Sequence, residues 1–224
     1  MRIRLRPDAP ATAVAAKIKT NMWDIPRRDR RYTLYLLSVI AFGFAGLIPS
    51  GFYPSVLVER LHLSYVEIGV LSTAQSVFWL FGYLIWGRLS DKRSGVWTLR
   101  VIYGMLAVVP LSYLFATSGW MMFPAFIATG LSSAGIDIAF QSCTIELADP
   151  ERIYDYAALH RTVIGIRGLL GPFTGVWLAA IGTPAPMIFL LAVSLFVISA
   201  GVMTHPAFRR PAPLEAGPTV HPAE

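Results

Sequence analysis

Four long runs without a single charged residue constrain this chain more than any other feature of its sequence. Residues 32–58, 68–87, 101–136 and 168–208 contain no Asp, Glu, Lys or Arg. A helix that crosses the hydrocarbon core of a bilayer needs about 20 such apolar residues. Only 14% of the residues in the whole chain are charged, against about 25% in soluble domains. These features exclude a soluble enzyme, a secreted disulfide scaffold and a disordered protein, and they predict a polytopic membrane protein.

The apolar runs and the turn signals between them predict six helical spans. We place them at about 32–57, 66–86, 99–116, 121–147 and 156–181, with the sixth running from the turn at 182–186 to near Thr204. Ser64 is the expected N-cap of span two. A membrane strand would alternate in polarity over about 10 residues, whereas these runs are apolar on every face. The expected fold is therefore an all-α membrane protein with six transmembrane helices.

The distribution of the basic residues predicts the orientation of these spans. The formal net charge is +6, but 17 of the 19 Lys and Arg residues fall on one side of a six-span chain. Only Arg60, in an outer loop, and Arg167, inside a span, fall elsewhere. Cytoplasmic loops retain Lys and Arg, so both termini are expected in the cytoplasm. The expected membrane is a bacterial inner membrane. This pattern favours a lipid bilayer rather than nucleic acid as the partner of the positive charge.

Three segments follow from this layout. Residues 1–31 form a basic cytoplasmic segment with a weak interfacial helix expected from Ala9 to Met22. Residues 32–205 form the six-helix domain, and residues 206–224 form a Pro-rich cytoplasmic tail that is expected to be disordered. The one cysteine, Cys143, allows no internal disulfide.

The sequence lacks the signatures of an enzyme. It contains no HExxH, no GxxxxGK[ST], no CxxC and no GxSxG motif. Its four histidines are scattered, and none forms a pair at helical spacing. We therefore expect no catalytic residues, no metal site and no cofactor.

The loop between spans two and three carries a recognisable pattern, which begins at Gly87 and continues through Asp91, Lys92 and Arg93. It resembles the signature of the major facilitator superfamily, although the second Gly of that signature arrives one place late, at Gly95. The resemblance implies that Asp91 lies near the N-terminus of a neighbouring helix and latches one of the alternating-access states. The alternative is an ordinary basic inner loop, but an acidic residue has no orienting role there.

A second resemblance to the same family lies in span five, where Pro172 is surrounded by glycines. The residues involved are Gly168, Gly171, Pro172 and Gly175. Glycines three and four residues apart leave a smooth stripe against which another helix can approach closely, and Pro172 is expected to bend the span. Helix packing and a role in gating both fit this pattern.

Two charged residues remain inside the membrane, Asp137 in span four and Arg167 in span five. Each lies ten residues from the inner end of its span, which at 1.5 Å per residue is about 15 Å deep. Equal depth and opposite sign predict an ion pair, with Gln141 extending the polar face. Its role is either a substrate or proton site or a structural link between two helices. Glu146, Glu151, Asp155 and Arg161 are expected at the inner surface, in solvated ion pairs of little value.

The resemblance covers residues 25–205, which correspond to one six-helix half in a family of two related halves. The basic residues before span one resemble the linker that enters a C-terminal half, although an N-terminal half can start similarly. It implies a half-size secondary transporter for an unknown small molecule, working by alternating access with a second six-helix half, either a homodimer partner or a separate chain. One alternative is a non-transporting scaffold or assembly factor in a larger membrane complex, for example a photosynthetic pigment–protein complex. The other alternative is an inactive half from a split gene.

Overall fold

The computed structural model describes residues 21–208, except for the side chain of Asp91. Within this range the chain is all-helical and has six helices long and apolar enough to cross a membrane. They are Arg30–Arg60, Tyr65–Ser90, Gly95–Phe115, Gly119–Leu147, Pro150–Ala180 and Ala185–Val202. We call these helices spans one to six. The six-helix fold predicted from the apolar runs is confirmed.

The two predicted terminal segments lie largely outside the described residues. The expected interfacial helix falls almost entirely in 1–20, and most of the expected disordered tail falls in 209–224. At the start of that tail, Pro206–Phe208 forms a short 3-10 helix.

Span one is not a single regular helix. Its successive segments are the α-helix Arg30–Leu47, the 3-10 helix Ile48–Gly51, the α-helix Phe52–Ser55 and the π-helix Val56–Arg60. Pro49 and Pro54 lie within this irregular part, and neither can donate a backbone hydrogen bond. The irregular half of span one follows from these prolines.

Arg60 ends span one as part of the π-helix, so its expected placement in an outer loop is corrected. Its guanidinium donates hydrogen bonds to the carbonyl oxygens of Tyr113 and Ala116, at 2.5 and 2.8 Å. The last carbonyls of a helix have no partner within the helix itself. Arg60 supplies that partner at the end of span three, which gives this basic residue a structural role at the end of the bundle opposite the other basic residues.

Spans two and three have ends that the local sequence specifies. Ser64 accepts a hydrogen bond from the Glu67 backbone N–H, and Glu67 accepts one in return from the Ser64 backbone, which completes a capping box. The predicted N-cap is thereby confirmed. Span three is interrupted at Ala107, between the helices Gly95–Leu106 and Val108–Phe115. Pro110 lies one turn beyond Leu106 and cannot donate to its carbonyl, which explains the interruption.

The longest helices belong to spans two, four and five. Span two is helical over Tyr65–Lys92, span four over Phe123–Leu147, and span five over Ile153–Ala180. Span six is one helix, Ala185–Val202, which follows a tight turn with Gly182 at φ +79°. We call the end of the bundle that holds Arg30, Lys92 and Arg152 the basic end.

The packing order differs from the chain order. Span four packs most extensively against span two and only lightly against span five, although spans four and five are consecutive. Span six packs against both span one and span three, and span three also packs against span four. In an apolar stretch of 18 residues within each span, 11% of the residues are buried in spans two and five, against 44–50% in spans one, three and four. The bundle is therefore open on the face that spans two and five border.

Candidate functional site

Asp137 lies on this open face, midway along span four. Its side chain is exposed and accepts a hydrogen bond from the hydroxyl group of Tyr83 in span two at 2.9 Å. The carboxylate lies about 15 Å along the helix from Leu147. A carboxylate at this depth needs a polar partner or water, and in this structure Tyr83 is that partner.

Arg167 points away from Asp137, toward span one. Its guanidinium donates a hydrogen bond to the carbonyl oxygen of Val39 at 2.6 Å. It lies 5.0 Å from the ring centre of Phe42 and 5.9 Å from that of Phe140, in cation–π geometry. A Cβ atom at position 43 would overlap the Arg167 side chain, so Gly43 leaves the space in which it lies.

Asp137 and Arg167 do not form the predicted ion pair in this structure. Among the described residues an ion pair joins Arg152 to Asp155, at 3.1 Å. The position of a residue along its span determines its depth in the membrane, but it does not determine the direction of the side chain around the helix axis. Spans four and five also separate where the pair was expected to meet. The function of both residues stays a prediction.

Two cavities flank Asp137 on the open face. One, of about 380 Å³, lies between spans two and four and is lined by Gln75, Ser76, Trp79, Ser133, Ile136 and Asp137. The other, of about 500 Å³, lies between spans four and five. Gln141, one turn beyond Asp137, lines this second cavity, as the predicted polar face requires. Asp137 thus borders both cavities, one on each side of span four.

The second cavity also contains residues from the start of span five. His160 and Arg161 form part of its wall, together with Tyr154. His160 is 3% exposed, and neither of its ring nitrogens has a hydrogen-bond partner among the described residues. Its ring stacks on Tyr35 and meets Phe140 edge-on, with centroids 5.4 and 4.9 Å apart. His160 carries no signal in the sequence, because a single histidine without a spaced partner is usually a packed core residue.

The pattern that begins at Gly87 is helical rather than a loop over most of its length. The helix of span two runs through Asp91 to Lys92, and span three begins at Gly95 after Ser94, which accepts a hydrogen bond from Trp97. The guanidinium of Arg93 lies 5.4 Å from the centre of the Trp97 ring. The predicted contact of Asp91 involves a side chain outside the described part of the structure.

Glu146 supplies a carboxylate at the N-terminus of span three. Its Oε2 accepts a hydrogen bond from the Gly95 backbone N–H at 3.1 Å. A negative charge at the first turn of a helix is stabilised by the unpaired N–H groups and the helix dipole. Through this hydrogen bond Glu146 joins spans three and four at the basic end, while its expected surface ion pair stays a prediction.

The glycines of span five have different surroundings. Cβ atoms at Gly171 and Gly175 would meet Leu47 and the carbonyl oxygen of Ile48 in span one, whereas Gly168 faces open space. The helix continues through Pro172. Gly171 and Gly175 thus allow close packing of spans five and one beside the irregular part of span one, while the gating role stays a prediction.

Comparison with known proteins identifies the family. Residues 34–223 match the Major Facilitator Superfamily. The chain belongs to the major facilitator superfamily. It is therefore a multi-pass integral membrane protein of a transporter family whose members handle small-molecule substrates, and the resemblance seen at Gly87–Gly95 is confirmed at the level of the family.

Two curated relatives come from Agrobacterium vitis, and both are described as putative tartrate transporters. One is 28% identical over 171 residues, which are 73% of this chain and 38% of the relative. The other is 24% identical over 147 residues, which are 63% of this chain and 32% of the relative. This chain thus spans less than two-fifths of the length of either relative. No solved structure matches it significantly.

The described part of the chain does not group side chains as a metal site requires. Within residues 21–208 no group of three or more His, Cys, Asp or Glu side chains is placed to hold a metal ion. The polar groups on the open face are instead hydrogen-bonding groups and single charges. Such a set can bind and orient a polar small molecule, as a transporter of this family requires.

Proposed function

We propose that this chain is one six-helix half of a secondary transporter that works by alternating access together with a second six-helix half. The observation that carries the proposal is the exposure of Asp137 and Gln141 midway along an apolar span. Lipid chains offer no hydrogen bonds, and ionisable residues at this depth face a protein interior or a water-filled cavity. A second half across the open face encloses these groups in such a cavity.

The distribution of burial supports the same arrangement. Spans two and five border the open face and are the least buried of the six. Large apolar side chains on them are strongly exposed, with Leu80 68% and Phe173 66% exposed. In the proposed assembly these side chains pack against the partner at the two edges of the cavity. The partner is a second copy of this chain or a separate six-helix chain.

Within the cavity we assign substrate or proton binding to Asp137, with Gln141 as a further hydrogen-bonding group. Tyr83 orients the carboxylate through its hydroxyl. The alternating motion would use spans one and five, which meet at Gly171 and Gly175 beside the irregular half of span one. Asp91 would act as the latch between states. The names of the relatives make tartrate the first substrate to assay.

Cysteine cross-linking in native membranes tests the pairing. In a Cys143→Ser background, Leu80→Cys and Phe173→Cys, each labelled with a photoactivatable maleimide, should form cross-linked adducts with the partner on illumination. Val197→Cys, on an exposed face of span six and 56% exposed, is the matched control and should not. The mass of the adduct distinguishes a second copy from a different chain. A chain that stays monomeric with all three cysteines contradicts the proposal.

Transport separates this proposal from the scaffold alternative. The paired assembly, reconstituted in liposomes, should take up labelled substrate, and Asp137→Asn should abolish or uncouple the uptake. A scaffold would form a stable complex but give no uptake with any substrate tested, and Asp137→Asn would then leave the assembly unchanged.

A further inference from the structure

The cavity between spans four and five is lined by a histidine and an arginine to which the proposed function above assigns no role. One wall comes from span four and includes Asp137, Gln141 and Thr144, and the other comes from span five and includes His160 and Arg161. At about 500 Å³ the cavity has the size of a small-molecule site. It is open toward the face that the partner half would cover.

His160 is the first indication that this cavity holds a ligand. Its side chain is almost fully buried, and both ring nitrogens lack partners among the described residues. Buried polar groups in proteins are nearly always hydrogen-bonded. The surfaces on either side of the ring are taken up by Tyr35 and Phe140. The cavity is the neighbouring space from which a polar partner can come.

The positive charge around His160 is the second indication. Arg161 is exposed in the cavity wall and has no ion-pair partner within residues 21–208. Arg167 lies behind Phe140, within electrostatic reach of His160, and its bonds to Val39 and the aromatic rings leave its charge without a carboxylate. The one carboxylate in the wall, Asp137, already accepts a hydrogen bond from Tyr83. The cavity is therefore flanked by two guanidinium groups and one carboxylate, which leaves a net positive charge.

We propose that this cavity is a subsite for the carboxylate group of a small organic anion, with Arg161 and His160 as the groups that bind it. The proposal rests on the transport function above and names its substrate class. Arg161 offers two parallel N–H donors that match a carboxylate. The His160 nitrogens are covered in this structure, and in the proposed complex a turn of the ring brings one of them to the carboxylate. Arg167 holds positive charge behind the wall without touching the ligand.

The opposite wall selects for a second feature of the ligand. Gln141 presents both donor and acceptor groups, and Asp137 presents an acceptor. Hydroxyl groups next to the bound carboxylate can donate to these side chains. The preferred ligand is thus a hydroxylated carboxylate rather than a neutral polyol or a plain alkyl acid.

Binding to the purified full chain in nanodiscs of zwitterionic lipid tests the subsite without requiring transport. Zwitterionic lipid is chosen so that no anionic headgroup competes for the cavity. Calorimetric titration should detect tartrate, detect succinate more weakly, and detect no binding of erythritol, the neutral tetrol of the same chain length. Arg161→Gln should weaken tartrate binding about tenfold or more, as expected for a lost charge-assisted contact.

Matched variants make the result specific. Arg88→Gln removes the same charge from an exposed position outside the cavity and should leave tartrate binding unchanged. His160→Gln, which keeps hydrogen-bonding groups in the wall, should weaken binding less than His160→Ala. If His160→Ala fails to fold, Arg161→Gln still decides the question, because that side chain is exposed.

Several outcomes would overturn the proposal. They are equal binding of erythritol and tartrate, equal weakening by Arg88→Gln and Arg161→Gln, and no detectable binding of any carboxylate up to about 10 mM ligand. Failure of the transporter proposal is distinguishable, since it would leave binding intact while proteoliposomes take up no substrate. Uptake of tartrate that Arg161→Gln does not alter would contradict the subsite alone.

Discussion

At the scale of single residues, the position of the Arg167 side chain depends on the absence of a side chain at Gly43. The guanidinium lies against Gly43, between the rings of Phe42 and Phe140, and donates to the Val39 carbonyl. An uncompensated cation inside a membrane span is expensive, and these contacts replace part of its hydration. The absence of a Cβ in span one therefore determines which way a charge in span five points.

Gly43→Ala should lower the stability of the bundle because the new methyl group overlaps the Arg167 side chain. Overpacking of this kind costs about 1–3 kcal/mol, against a gain of up to about 1 kcal/mol from helix propensity. Thermal unfolding in detergent measures the difference. Gly46→Ala, on the same helix with open space around it, is the control and should be neutral or stabilising. An unchanged midpoint for Gly43→Ala would show that Arg167 does not occupy this space.

The partner of Asp137 can be identified by double-mutant cycles. Tyr83→Phe and Asp137→Asn remove the two ends of one hydrogen bond, so their effects on thermal stability should be coupled. Asp137→Asn and Arg167→Gln remove groups that do not meet, so their effects should add. The opposite result, additivity with Tyr83 and coupling with Arg167, would restore the ion pair that equal depth predicts.

At the scale of helices, glycines set the distance between spans two and four. A Cβ at Gly130 in span four would overlap the carbonyl oxygen of Gln75, and one at Gly82 in span two would lie 3.0 Å from the Leu131 carbonyl oxygen. Close backbone approach through small residues is a main source of helix association in membranes. The most extensive helix contact in the bundle rests on these two positions.

Gly130→Ala should destabilise the bundle more than Gly43→Ala, since its methyl group meets backbone rather than a flexible side chain. We expect a loss of about 2–3 kcal/mol or failure to fold, measured as the thermal midpoint and the yield of monodisperse protein. Gly104→Ala in span three, where a Cβ meets nothing within 4 Å, provides the comparison. A wild-type midpoint for Gly130→Ala would mean that spans two and four lie further apart.

The contact between spans three and four at the basic end leads to a second prediction at this scale. Glu146→Gln should destabilise the bundle by about 0.5–1.5 kcal/mol, because a neutral amide is a weaker acceptor for the Gly95 N–H and loses the interaction with the helix dipole. Glu151→Gln, exposed at the same end, should have no effect on the thermal midpoint. Equal effects of the two substitutions would assign Glu146 to general surface electrostatics.

At the scale of the whole molecule, the six spans and the basic residues together predict an orientation in the membrane. An even number of spans brings both ends of the membrane domain to the same side. The basic end of the bundle collects Arg30, Lys92 and Arg152, while the opposite end holds Arg60, which caps span three. The open face lies along the bundle between these ends, where a second half can cover it.

Reporter fusions test this orientation. Fusions after residue 31 and after residue 205 should both report the cytoplasm, because 17 of the 19 Lys and Arg residues lie on the side of these termini. A fusion after residue 118, in the turn between spans three and four, should report the opposite side. Fusions at 31 and 205 that land on different sides would contradict the six-span topology.

The number, type and limits of the spans follow from the sequence alone. Long apolar runs must cross the bilayer as helices, because each backbone group has to find its hydrogen bond within the segment. Ser64 and Glu67 show the same local determination, since the residues that form the capping box are three positions apart. The Gly87–Gly95 pattern likewise points to the family without any knowledge of tertiary contacts.

The tertiary structure decided which residues face one another. Position along a span fixes depth at 1.5 Å per residue, but the direction of a side chain depends on the rotation of each helix and on the identity of its neighbours. Span four packs against span two rather than span five, so Asp137 meets Tyr83, while Gly43 draws Arg167 toward span one. The tertiary structure likewise places His160 in a cavity wall and Glu146 at the N-terminus of span three. Helix rotation and neighbour choice arise from packing across the whole bundle, and no local segment encodes them.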